Sequence, residues 1–203
     1  MGYYPSMEVS VMTREEIILS LIAATGSPTP GTIVGITRLQ KLLFLTEKET
    51  GITPSEKPFE FTAYKFGPVS KKVYDDLCLL EHLGLLESSA NPQPPKPRTT
   101  TDPMRLDPET LLSPASLSSS STSEISDDED ELNIESHEMD VFRVTPRGME
   151  LLHKKGLLET PEYKKIEVVK KRHGARSLSD LLRYVYTHYE DYTTESEIKD
   201  QVL

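Results

Sequence analysis

The chain reads as mainly α with a minor β component, an α+β protein, on three observations. Capping pairs stand ahead of apolar runs spaced three and four apart. Two short strand-like stretches flank a long polar interruption, and no apolar run nears the roughly 18 residues that would span a bilayer.

In "TREEIILSLIAATG", Thr13 and Glu16 form a capping-box pattern, Ile17, Ile18, Leu21 and Ile22 repeat at helical spacing, and Gly26 is the stop signal. This predicts a first helix. After the turn-rich "SPTPGTIVG", Thr37 and Gln40 repeat the pattern in "TRLQKLLFLTEKETG", with Leu39, Leu42, Leu43 and Leu45 as the apolar face and Gly51 as the end. "FEFTAY" alternates Phe59, Phe61 and Ala63 against Glu60 and Thr62, which predicts a strand, and Gly67 and Pro68 then break the backbone. A third helix starts at Ser70 and places Val73, Leu77, Leu80 and Gly84 on one face.

"LGLLES" passes from this helix into a strand whose partner, "VFRV", appears only after residue 140. Thr145 and Pro146 then open a short helix as cap and first residue. Helix, helix, recognition-type helix, strand, loop, strand is the order of a winged helix with a small β-wing. Thr160 and Pro161 open a further helix, Ser177 and Asp180 cap another, and Thr194 with Glu197 predicts a last short one. The expected organisation is a flexible stretch 1–12, a winged-helix-like domain over 13–90 and 139–158, and a C-terminal helical extension 159–203 packed on it. Residues 91–138 form a long disordered insertion in the wing.

That insertion carries nearly all the net charge. Residues 91–140 hold seven of the 15 prolines and 12 acidic against 3 basic residues, which leaves 21 acids and 20 bases for the rest of the chain. Such a composition buries too little apolar surface to offset its ordering entropy. The formal charge of −10 therefore describes an acidic tether on a near-neutral globule. Ser123 and Ser126, ahead of "DDEDE", are candidate phosphorylation sites.

Several function classes lose support here. The lone Cys78 excludes an internal disulfide and thiolate zinc sites, and the five histidines have no metal-ligand spacing, so neither metal nor cofactor is expected. No phosphate loop or nucleophile motif is present, and a non-enzymatic protein is expected. The opening "MGYYPSMEVSVMTREE" lacks the order of a signal peptide, which predicts a cytoplasmic protein without membrane association.

"ITRLQKLLFLTE", "FEFTAYKFGPVSKKVYDDLCLLEHLGLL" and "LLRYVYTHYEDYTTESEI" together resemble the YwgA-like bacterial and archaeal family, related to the antitoxin-associated Panacea domain. The resemblance implies a helical, winged-helix-like module that neutralises a toxin, or serves a defence or regulatory complex, by protein contact. It assigns no catalytic residue. Its motif falls on Leu39, Leu42, Leu43, Tyr64, Gly67 and Pro68, which are expected to be structural.

A DNA-binding regulator is the alternative. Lys65, Lys71 and Lys72 would then meet phosphates around the third helix, but Asp75, Asp76 and Glu81 make that helix slightly negative. Lys71 with Asp75 and Lys72 with Asp76 instead have the spacing of a solvated, self-paired face. The basic cluster of the chain is Lys164, Lys165, Lys170, Lys171, Arg172 and Arg176, expected to point outward. Tyr184, Tyr186, Tyr189 and Tyr192 behind it are suited to packing more than to base stacking. A protein partner is thus the favoured expectation, with DNA as the second.

Overall fold

The computed structural model describes residues 12–26, 29–54, 58–89, 140–196 and 198. Helix α1, Arg14–Ala23, begins with the expected capping box: the Thr13 hydroxyl accepts from the Glu16 amide and the Glu16 carboxylate accepts from the Thr13 amide. From Glu16 to Ala23 every residue is buried, as in a helix packed on all sides. Around it lie the other elements.

Strand β1, Thr32–Val34, follows where the sequence suggested only turns. Helix α2, Ile36–Thr50, starts one residue before the expected cap: Gly35 is the N-cap and no side chain caps it. The Thr37/Gln40 box does not form, because Gln40 is used elsewhere. Gly51 ends α2 in the left-handed conformation, as expected.

"FEFTAY" is not a strand. Glu60 has φ 56, which breaks the extended run, and only a single bridge, Thr62 with Val69, forms across the Tyr64–Pro68 turn. Phe59 still faces the core. Helix α3 is Lys71–His82, so Gly84 lies beyond its end. Strands β2, Leu86–Ser88, and β3, Val141–Val144, complete an antiparallel sheet of order β1-β3-β2, with Ile33 opposite Phe142 and Leu86 opposite Val144. The insertion lies outside the described residues, but its base is closed: Ser89 N donates to Val141 O at 3.1 Å and Val141 N to Ser89 Oγ at 2.8 Å.

Helix α4, Pro146–Lys154, is capped by Thr145, whose hydroxyl accepts from Gly148 N. A Cβ at Gly148 would run into the Leu85 carbonyl, so α4 lies directly against the end of α3. A 3-10 turn, Leu157–Glu159, leads to α5, Pro161–His173, and α6, Leu178–His188, both with the expected caps, and a second 3-10 turn spans Glu190–Tyr192. Thr194 lies in a turn, and its expected partner Glu197 is outside the described residues. One hydrophobic cluster joins α1, α2, α3, the sheet, α5 and α6. Helix α5 packs on α1 and α2, and α6 packs on α2.

Candidate functional site

The turn between Tyr64 and Ser70 is held by two polar side chains that interrupt the apolar face of α2. Gln40 reads both backbone groups of Ser70: its amide donates to Ser70 O at 2.9 Å and its carbonyl accepts from Ser70 N at 3.1 Å. Lys41, fully buried, donates to Pro68 O at 2.9 Å. Burial pulls the Lys41 ammonium down to about 7. The Ser70 hydroxyl donates to Phe59 O and therefore does not cap α3.

Gly67 sits at φ +80, and a Cβ there would lie 2.8 Å from the ring of Tyr186. The Tyr186 hydroxyl is hydrogen-bonded to Ser196 Oγ, which donates to Lys65 O at 3.1 Å. Leu39, Leu42 and Leu43 are core residues. Tyr64 closes the turn by accepting from Gly67 N at 2.9 Å. Gln40 and Lys41 were missed as positioning residues. Their signal was two polar residues in the middle of "LQKLLF".

On α3 the lysines and aspartates do not form a balanced outer face. Asp76 turns inward and accepts two hydrogen bonds from Arg14 of α1, both 2.6 Å. Burial pushes the Asp76 carboxyl above the ordinary carboxylate range, against the pull of the guanidinium. The expected Lys72–Asp76 surface pair is thereby corrected: a buried interhelical partner outcompetes a solvated neighbour. Lys71, Asp75, Cys78, Leu79, His82 and Leu83 are exposed, and Lys65 and Lys72 are half-buried. Leu79 and Leu83 keep 44% and 43% of their surfaces in solvent, so the outward side of α3 is apolar at its centre and end.

The basic cluster also divides. Lys170 is buried, contrary to the outward expectation, and its ammonium donates to Ile22 O at 2.7 Å and Ala24 O at 2.9 Å. A cation thus closes the negative end of α1. Burial lowers Lys170 to about 8. Lys171 pairs with Glu167 at 3.0 Å, Arg172 with Glu49 at 3.0 Å, and the Arg176 guanidinium lies 5.0 Å from the Tyr184 ring centre. Lys164 and Lys165 are exposed.

Glu49 gathers three donors: Arg172, His173 Nε2 at 2.9 Å and Tyr184 OH at 3.0 Å. Burial lowers the His173 imidazole below its ordinary value although Glu49 pulls it up. Beside this network an open groove of about 250 Å³ is lined by Glu49, Thr50, Lys165, Val168, Val169 and Arg172. The tyrosines pack, as expected: Tyr186 is buried, while Tyr189 and Tyr192 meet Phe44 edge-on at 5.1 and 4.9 Å.

The candidate cations thus fall mainly on two helices, α3 and α5, each tied to α1, with Lys65 in the turn before α3 and Arg176 in the loop after α5. Among the described residues no His, Cys, Asp and Glu side chains group as a metal site would, and no helix is long and apolar enough to cross a membrane. Ser123 and Ser126 lie outside the described residues. What these features define is an α+β protein with a small antiparallel sheet and two differently surfaced helices. No family model, curated protein or solved structure matches the chain.

Proposed function

We propose that this chain is a winged-helix-like, non-enzymatic regulatory binding protein, an antitoxin-like neutraliser or adaptor, that engages a protein partner through the outer face of α3. The observation that carries the reading is the exposure of Leu79 and Leu83, one turn apart on the helix that a winged helix uses for recognition. Apolar side chains on an exposed helix face gain free energy by entering a protein interface and gain little from a phosphate backbone. Lys71 and Asp75 flank the patch with opposite charges, which suits a partner helix with an apolar stripe and a polar rim.

The winged-helix-like reading is supported by the element order α1, β1, α2, α3, β2, β3 with β3 at the centre of the sheet. That same order favours the second reading, a DNA-binding regulator, with Lys71 and Lys72 at the start of α3 as the phosphate contacts. Affinity capture from the source cells, with and without nuclease, separates the two. The proposal expects a protein captured regardless of nuclease and lost from the Leu79→Asp/Leu83→Asp variant. Capture abolished by nuclease and indifferent to that variant would replace it with the DNA reading.

A further inference from the structure

Helix α5 presents a second, chemically different surface. Lys164, Lys165, Val168, Lys171 and Arg172 recur at the three- and four-residue spacing of one helix face, and all five are exposed. Val168 alone leaves 52% of its surface in solvent. The two cations that have acidic partners are oriented outward: Lys171 and Arg172 are 54% and 57% exposed, while Glu167 and Glu49 beneath them are 24% and 12% exposed. The groove of about 250 Å³ runs from this stripe to the end of α2, with Val168 and Val169 among its apolar lining and Lys165 and Arg172 among its cations. A complementary occupant would be strongly acidic and would carry an aliphatic side chain.

The chain contains such a sequence. Residues 127–138, "DDEDELNIESHE", hold seven acids, no Lys or Arg, and two aliphatic residues, Leu132 and Ile134. They lie outside the described residues, yet their attachment point is fixed. Gly35 N, at the start of α2, donates to Asp140 O at 2.7 Å. Glu49 and Thr50 of the groove are at the other end of the same 15-residue helix, about 22 Å away at 1.5 Å per residue. Extended chain covers ~3.3 Å per residue, so the nine residues from Asp140 back to Glu131 reach about 30 Å. Charge, apolar content and tether length agree.

We infer that residues 127–138 dock in cis on the cationic face of α5, with Leu132 or Ile134 in the groove beside Val168 and the acidic run along Lys164, Lys165, Lys171 and Arg172. Docking would cover the exposed cations of α5 and leave the outer face of α3 open. The inference is independent of the α3 reading, since partner capture at Leu79 and Leu83 can fail with the docking intact.

The test uses the full-length chain with Cys78→Ser and Asn133→Cys, a nitroxide on residue 133, and amide NMR intensities. At 50 mM salt the amides of Val168 and Lys171 should lose more than half their intensity to the paramagnetic label. They should recover at 500 mM salt, where screening shortens to a few ångströms, and also in the Lys164→Glu/Lys165→Glu background. Intensities on α5 that never fall would overturn the docking. So would a loss that persists through either the salt or the charge reversal.

Discussion

Helices α3 and α5 carry most of the candidate cations, and each is fastened to α1 by one buried ion, at opposite ends. At the start of α1, Arg14 clamps the Asp76 carboxylate of α3. At its end, the Lys170 ammonium of α5 takes the free carbonyls of the last turn. The first tie is a pair of charges, the second a charge on a helix terminus. Removing one member of a charge pair strands the other in a low-dielectric interior, whereas carbonyls left by a lost cation are merely underused acceptors. The inward ions also decide what faces out: α3 is left with leucines, α5 with lysines.

The pair at the start of α1 should therefore be the more sensitive. Asp76→Ala is expected to lower the unfolding free energy by about 3–5 kcal/mol in urea denaturation, and Arg14→Leu/Asp76→Leu to recover most of that loss. Equal damage from the single and double variants would remove the distinction. Gly67→Ala, which strains the turn delivering α3 and meets the Tyr186 ring, should cost about 2–3 kcal/mol by the same measurement.

The buried lysines make the opposite end testable by pH. Lys41 is lowered to about 7 and Lys170 to about 8, against 10.5 for a solvated lysine. Between those values and 10.5 the unfolded chain binds more protons than the folded one, so each lysine makes stability rise with pH, by up to ~1.4 kcal/mol per unit. Stability followed from pH 7.5 to 10 should climb, and Lys41→Met should lessen the climb over the whole range, whereas Lys170→Met should lessen it only above about pH 8. A flat wild-type profile would mean that both ammonium groups stay charged inside. The smallest effect belongs to the outer face of α3: Leu79→Asp and Leu83→Asp should each change stability by less than about 0.5 kcal/mol, so that lost capture reports binding and not folding.

Local signals were legible in the sequence and long-range ones were not. The caps at Thr13, Thr145, Thr160 and Ser177 hold because a cap bond spans only three residues. Strand β1 escaped notice because three residues among glycines and prolines carry no period, and it exists through pairing with β3 more than a hundred residues later. "FEFTAY" has the right period without a partner strand. In the basic cluster all six cations look alike in sequence, and Lys170 is singled out only by where α1 ends. The same holds for Asp76, which has the spacing of a surface partner for Lys72 but lies opposite Arg14.

The closed base of the insertion carries one more consequence. Leu86–Ser88 and Val141–Val144 are joined by ladder bonds and by the reciprocal contacts of Ser89 with Val141, none of which runs through the intervening fifty residues. A protease nick within 91–138 would leave two fragments that share one sheet and one hydrophobic core. They should migrate as two bands after denaturation and as a single species before it, which makes this position a natural place to split the protein and reassemble it from separate halves.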